Sequence, residues 1–370
     1  MTQTALPDRA ALRLQQIARA RHAVMQGGAG TAPAAPAGGA DGAWIERSWR
    51  RCLAQGLQPG QPVHFDLVSP AAPARLREAH RDLLQAARPT LERLGRALEH
   101  TRYFAILVNA QGLVLDAQGA IDRSDRRAAL IARPGVDLSE RAVGTTAISV
   151  TLAEQQAVWL HRGEHFFDDN ACYSCAGAPL YGPDGSCVGM LDLTGVDVAE
   201  RPELRHLVAQ SARSIENALT VAQPHHLLVR LNWPGRALGS EDDGLLALDA
   251  EGWVRGANGA ARQMMPLLQA PGPACHCSEL FAQPWEPLFD AARHGSAPAE
   301  MALWSGLRLA ALPMPAGQAD LPGVATPLRD LESALIHNAV AQAGGSVAQA
   351  AKVLGISRAT IYRKLARKGR

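Results

Sequence analysis

The apolar positions change period several times along the chain. Residues 7–26 carry Leu12, Leu14, Ile17 and Ala18 on one side of an amphipathic helix. A second helix begins near Asp41 and stops at Gly56, with Trp44, Ile45, Ser48, Trp49 and Cys52 on one stripe. From 73 to 100, Leu76, Leu83, Leu84, Leu91, Leu94 and Leu98 predict one long helix with a kink or new first turn at Pro89. At Tyr103 the period becomes that of strands. Phe104–Val108 reads as a buried strand, Asn109–Gly112 as a turn and Leu113–Asp116 as the return strand. Ser139 is placed to cap a helix from Glu140 to about Leu152. Ala157–His161 predicts a strand, 164–174 a polar loop, Ala178–Tyr181 a strand and 187–194 another. Pro202 opens a helix running to about Val221. Gly244–Arg262 repeats strand, turn and strand, followed by a helix starting near Asn258.

Three more helices follow from Pro327. Leu328, Leu331, Leu335 and Ile336 share a face, and Gly344 and Gly345 end that helix. Ser346 can cap the next, whose apolar face is Val347, Ala350, Ala351 and Leu354. Gly355 supplies a tight turn, Ile356 plugs it, and Ser357 caps a third helix that turns Ile361 and Leu365 inward. Two short helices joined by a glycine-bearing turn form a helix-turn-helix. Ser357, Arg358, Thr360, Tyr362, Arg363, Lys364 and Arg367 are the candidate DNA-contacting residues. The first turn would meet base edges and the basic side chains phosphates.

Charge supports this reading. The 327–370 segment holds eight basic residues and two acidic ones, whereas the net charge of all 370 residues is +2. Basic charge gathered at one end is the footprint of a nucleic-acid-binding module. The pattern Gly344-Gly-Ser-Val-Ala-Gln-Ala-Ala-Lys-Val-Leu-Gly-Ile-Ser-Arg-Ala-Thr-Ile-Tyr-Arg-Lys-Leu resembles the Fis-type helix-turn-helix of bacterial enhancer-binding regulators. That resemblance implies a dimer on double-stranded DNA, with the 328–343 helix at the dimer contact.

A second resemblance covers roughly 75–222. Gly135-Val-Asp-Leu-Ser-Glu-Arg-Ala-Val-Gly-Thr-Thr-Ala-Ile, Glu164-His-Phe, Cys175-Ala-Gly-Ala-Pro-Leu and the 184–195 stretch are similar to the GAF sensor of the acetoin-catabolism regulator family. Thr146 departs from the asparagine usual in that family. The 244–262 pattern resembles the opening of a PAS domain. The expected architecture is therefore α+β and multidomain. It comprises an N-terminal helix and flexible linker (1–42), a helical lead-in (43–74), a GAF-like sensor (75–222), a PAS-like unit (240–312), a linker (313–326) and an all-α helix-turn-helix (327–370). Members of the family carry an ATPase between sensor and helix-turn-helix. No Gly-x-x-x-x-Gly-Lys-Ser/Thr phosphate loop occurs in this sequence, so ATP-driven activation of the sigma-54 polymerase is not expected.

For a small-molecule effector the candidate pocket residues are Thr145, Thr146, Ser149, His165, Phe166 and Cys175. Cys172 and Cys175, with His161 and His165 near in sequence, pose the alternatives of a metal site, a redox pair or plain packing. No cofactor is expected. Cys275 and Cys277 are too close for an ordinary zinc half-site, and Asp184 and Asp192 read as turn and strand-end residues. No apolar run of membrane-spanning length and no secretory signal occur, so a cytoplasmic protein with reduced cysteines is expected. The leading reading is a regulator that senses a ligand and binds DNA. A thiol enzyme similar to free methionine sulfoxide reductase, and a non-catalytic partner of a full-length regulator, are the alternatives.

Overall fold

Tyr103–Asn109 (β1) is buried at all seven positions, and its side chains divide between two cores. Phe104, Ile106 and Val108 enter one cluster, while Tyr103, Ala105 and Leu107 enter the other. Alternate residues of a strand point to opposite faces, so this sheet is covered on both sides. The computed structural model describes residues 9–26, 40–65, 72–269, 275–294, 298–316 and 346–354, together with Arg358 and Ile361. Two units separate at Ala319/Asp320.

In the first unit, β1 pairs antiparallel with Val114–Gly119 (β2) and with Cys187–Val196 (β5). Tyr173–Tyr181 (β4) joins β5, and Val158–His161 (β3) closes the sheet in the order β2-β1-β5-β4-β3. Four helices precede the sheet: α1 (Arg9–Gln26), α2 (Ala40–Ala54), α3 (Ala72–Ala79) and α4 (Arg81–Ala97). Leu83, Ala87, Leu91 and Leu94 of α4 pack on one face with Val208, Ala212, Ile215 and Leu219 of α8 (Leu204–Val221). The other face is covered by Trp44, Ile45, Trp49 and Cys52 of α2 and by three short helices. These are α5 (Arg126–Ile131), α6 (Glu140–Val143) and α7 (Ala147–Glu154).

Two expected helices are divided. The 73–100 seam breaks at His80 rather than at Pro89, which lies inside α4. Pro89 and Gln85 are both exposed, so the carbonyl that Pro89 leaves without a partner faces water. The 140–152 helix breaks at Gly144, whose φ of 66° is left-handed. A Cβ there would meet Phe166 and Phe167 at 3.0 Å. Ser139 sits at the N-cap of α6 without a side-chain bond, and Thr146 caps α7.

The second sheet runs β8-β7-β6-β10-β9, from Val254–Ala257 (β8), Gly244–Leu248 (β7), Leu227–Asn232 (β6), Arg308–Pro315 (β10) and Ala299–Ala302 (β9). Its middle strand, β6, lies before the expected boundary at 240, and β10 runs past 312 into the expected linker. Arg230 and Asn232 interrupt the apolar run of β6 in the sequence. Both are buried, with Arg230 Nη1 3.4 Å from Asp243 Oδ2 and Asn232 Nδ2 donating to Asp243 Oδ1 at 3.0 Å. Helices α9 (Gly259–Met264), α10 (Cys277–Leu280) and α11 (Glu286–His294) cover one face. Asn258 caps α9 through Ala261 N at 2.9 Å and donates to Asn217 of α8 at 2.7 Å.

In the second unit, Ser346 Oγ accepts from Gln349 N at 3.4 Å and opens α12 (Val347–Leu354). Ala351 and Ile361 are buried and Arg358 is exposed. The expected first helix, Gly355, Ile356, Ser357, Thr360, Tyr362, Arg363, Lys364, Leu365 and Arg367 lie outside the described residues.

Asp243 also accepts from the backbone of Gly239 and Ser240, so its removal strands several buried donors. Asp243→Ala is expected to cost about 3–5 kcal/mol in urea denaturation, the usual penalty for breaking a buried pair. A loss under about 1 kcal/mol, the scale of an exposed pair, would refute that role.

Candidate functional site

A cavity of about 30 Å³ lies between the inner face of the first sheet and the α6–α7 corner. Its walls are mostly apolar: Phe65, Ile106, Ile131, Leu138, Val143, Ala147, Ile148 and Tyr173. Thr146, His165, Asn170, Cys175, Asp192 and Thr194 supply the polar groups. A largely apolar hollow with a few convergent polar atoms is the usual form of a small-molecule site.

Strand period explains much of this set. Cys175 on β4 and Thr194 on β5 are paired neighbours, and Asp192 lies two residues from Thr194 on the same face. Asp192 is fully buried, and no cation is paired with it among the described residues. The Thr194 hydroxyl donates to Asp192 Oδ2, while Asp192 Oδ1 has no hydrogen-bond partner. Burial pushes this carboxyl up to about 7. His165 Nδ1 donates to the Arg162 carbonyl at 2.9 Å, so Nε2 is left as an acceptor 3.7 Å from Cys175 Sγ. Burial lowers His165 to about 4 and raises the Cys175 thiol well above its ordinary value, so both are neutral near pH 7.

Of the six expected pocket residues, Thr146, His165 and Cys175 line the cavity. The other three have different positions. Ser149 forms a capping box with Thr146: its N–H donates to Thr146 Oγ1 at 3.2 Å and its Oγ accepts from Thr146 N at 2.9 Å. Phe166 is buried against Phe167, with ring centroids 5.1 Å apart. Thr145 points to α2, where its hydroxyl is 2.8 Å from Ser48 Oγ and 3.5 Å from Cys52 Sγ. Asp192, Thr194 and Asn170 were missed. The signal for two of them was present, since Asp192 and Thr194 stand at alternate positions in a strand otherwise apolar. They are pocket residues, not a strand end.

The same corner is clamped from outside. Ser48 donates to Glu140 Oε1 at 2.5 Å, and Arg51 holds Glu140 by two bonds of 2.9 Å. Arg51 also reaches Glu154 at 3.1 Å, so α2 grips the start of α6 and the end of α7. From α1, Arg21 donates to the carbonyls of Gly163, His165 and Phe166 and pairs with Asp168. Thus the expected polar loop 164–174 is largely buried and anchored, with short 3-10 turns at Arg162–Glu164 and Asp168–Cys172.

The His/Cys quartet does not converge. His161 Nδ1 bonds Ser174 Oγ at 2.7 Å, and Cys172 Sγ lies 3.5 Å from the Asp169 carbonyl. Among the described residues no group of three or more His, Cys, Asp or Glu is arranged to hold a metal ion.

Residues 16–217, more than half the chain, match the family model described as "MimR, N-terminal domain". The chain belongs to this family. Residues 327–367 match "Bacterial regulatory protein, Fis family", which agrees with the expected helix-turn-helix. The "Acetoin catabolism regulatory protein" of Cupriavidus necator is 31% identical over 258 residues, covering 67% of this chain and 37% of that protein. The "Acetoin dehydrogenase operon transcriptional activator AcoR" of Bacillus subtilis is 25% identical over 175 residues, covering 47% and 29%. The "Propane 2-monooxygenase operon transcriptional activator MimR" of Mycolicibacterium goodii is 30% identical over 140 residues, covering 37% and 24%. The chain therefore spans well under half the length of these relatives. Among solved structures, the Escherichia coli DhaR(N)–DhaL complex contains a chain 16% identical, covering 74% of this chain and 99% of that one, with a TM-score of 0.45. The Bacillus and Mycolicibacterium relatives are named as transcriptional activators and the Cupriavidus one as a regulatory protein, and this MimR-family chain carries a segment of the Fis family.

Asp192 gives a pH signature. Its folded-state value, about 7, lies above the ordinary 3.8. Between those values the folded protein holds a proton that the unfolded chain has lost, so this group's contribution to stability falls as pH rises and levels off above 7. Asp192→Asn removes that loss. Relative to wild type, the variant should gain a few kcal/mol between about pH 4 and 7.5, at roughly 1.4 kcal/mol for each tenfold difference in proton affinity between the folded and unfolded states. Parallel denaturation curves across this range check it. A difference that does not change with pH would show that Asp192 is not held protonated.

Proposed function

We propose that this chain is a ligand-responsive transcription regulator. It binds double-stranded DNA as a dimer through its Fis-type segment and reads a small effector in the cavity beneath α6 and α7. The observation that carries this reading is the presence of both parts in one chain: a Fis-family segment, and a MimR-family domain with a mostly apolar hollow bordered by a few polar residues. The first sheet with its flanking helices is the GAF-like sensor, and the second sheet with α9–α11 is the PAS-like unit. The cytoplasm is the compartment this role requires.

In mechanism, an effector in the cavity favours one arrangement of the α6–α7 corner. Arg51, Ser48 and Thr145 connect that corner to α2, so occupancy biases how α2 is held. A ligand shifts the equilibrium only as far as it binds the two arrangements unequally. Regulation then acts by occlusion, or by recruiting or competing with a longer regulator, since no phosphate-loop motif occurs in the sequence. The thiol-enzyme reading has less support. Burial raises the thiols of Cys172 and Cys175, opposite to what an attacking thiolate needs.

Arg358 is exposed on the unit that buries Ile361, as a recognition helix requires. Arg358→Ala and Arg363→Ala should each weaken binding to the chain's own upstream DNA by roughly ten- to a hundredfold, and a phosphate-contacting arginine should lower the salt slope by about 1. Titration at several salt concentrations measures both. Binding no tighter than to random DNA, and indifferent to both substitutions, would sink the regulator reading.

A further inference from the structure

Tryptophan is highly buried on average, yet two lie open beside one short stretch that covers the second sheet. Trp304, in the turn between β9 and β10, is 68% exposed, and Trp253, just before β8, is 42% exposed. Both touch residues 276–278 at the start of α10. Trp304 Nε1 donates to the Ser278 carbonyl at 2.9 Å, and the Trp253 ring stands 5.1 Å from the His276 ring. His276 is held in turn by the Trp285 ring, at 5.3 Å, and by a 2.8 Å hydrogen bond from Nε2 to the Glu251 carbonyl. Leu307, in the same turn as Trp304, is 53% exposed. The rings are fixed in place while much of their apolar area stays in water, which is the form of an interaction surface. We propose that this aromatic surface docks an arginine-bearing segment of another protein. The proposal is independent of the role given to the cavity in the first sheet.

Charge selects that partner. Asp249 and Glu251 precede Trp253, and Asp249 Oδ1 accepts from the Trp253 N–H at 2.8 Å. Glu279 Oε1 accepts from the His276 N–H at 3.0 Å, and Glu286 follows Trp285. Among the described residues none of these four acids is in an ion pair. Against them stands Arg255, exposed on β8, while Arg293 and Arg308 are already paired with Asp290 and Glu300. The surroundings of the rings are therefore net acidic. Nucleic acid stacks on aromatic rings where cations track its phosphates, and here acids would meet them. An anionic bilayer is repelled for the same reason. A second copy docking face to face would bring the same acids against their own images. A cationic segment satisfies both the rings and the acids. Arginine suits it better than lysine, because a planar guanidinium lies on an indole face and still offers N–H groups to a carboxylate beside the ring. Trp253 and Trp304 belong to separate turns, so a polypeptide that spans both covers what a small free cation would leave open.

The test uses the full chain and three six-residue peptides: hexa-arginine, hexalysine and hexacitrulline, the last an uncharged mimic of arginine. Binding is read by calorimetry at low and high salt. Hexa-arginine should bind saturably, about threefold or more tighter than hexalysine, and more weakly as salt is raised. Hexacitrulline should bind far more weakly than either. Trp304→Ala and Trp253→Ala should each weaken hexa-arginine binding about fivefold, the scale of an exposed cation–π contact, with the unfolding midpoint unchanged. The double variant Glu251→Gln with Glu286→Gln should weaken it to a similar extent and flatten the salt dependence. No saturable binding of hexa-arginine would overturn the proposal. Equal affinity in wild type and both tryptophan variants would do the same, since the peptide would then be held by acids elsewhere. Hexacitrulline binding as tightly as hexa-arginine would remove the cation from the argument. Sedimentation of the peptide-free chain is the last check. Self-association that Trp304→Ala abolishes would put a second copy on this surface and overturn the proposal as well.

Discussion

The first sheet has no solvent face, and most of what is distinctive about this chain follows from that. α4 and α8 close one side; α2, α5 and α7 close the other. A polar side chain on an inner strand of such a sheet has no water to turn to. It must find a partner inside, change its protonation state or face a hollow. Asp192 does all three. One oxygen meets Thr194, burial raises its affinity for a proton, and the residue borders the cavity while its second oxygen has no hydrogen-bond partner. A leucine at that position would pack without these demands, so the acid is the residue whose presence stability alone does not explain.

The cavity has the shape it has because Gly144 breaks a helix. A continuous helix from Glu140 would carry Thr145 and Thr146 around its axis. The break turns them to different tasks. Thr146 caps α7 and lines the hollow, while Thr145 bonds Ser48 of α2. The tight approach of Phe166 and Phe167 to Gly144 leaves no room for a Cβ. One backbone position therefore joins the cavity wall, the anchored 164–168 segment and the α2 clamp. Few places in the fold put so many elements in contact, which makes this corner a natural point for occupancy to be felt.

Much of this could be read from the sequence, and the misses have physical causes. Strand period alone located β1, β2 and β5, because a buried strand between turn residues is a strong local signal. The Fis-type segment was equally plain: a cap, a glycine turn and basic charge coincide. Helix continuity was misjudged twice, at His80 and at Gly144, because apolar spacing survives a one-residue break. β6 does not stand out in the sequence because Arg230 and Asn232 interrupt its apolar run. Asp243, eleven or more positions away, is what permits their burial. Three of the six candidate pocket residues, Thr146, His165 and Cys175, border the cavity. Asp192 was not among the six, since a carboxylate in a strand is ordinarily an edge or turn residue, and only tertiary covering makes it interior.

That covering also sorts the buried titratable groups by role. Glu164 is pushed up to about 7, yet it meets the His161 backbone N–H and Arg13, and so ties α1 to the anchored segment. Glu216, also raised to about 7, accepts from Tyr181 N on β4. Both are structural, with protein donors directed at them. Asp192 is raised to the same level by the same cause, but only one of its oxygens is used. Among the described residues, Asp192 Oδ1 is the carboxylate oxygen buried without a hydrogen-bond partner.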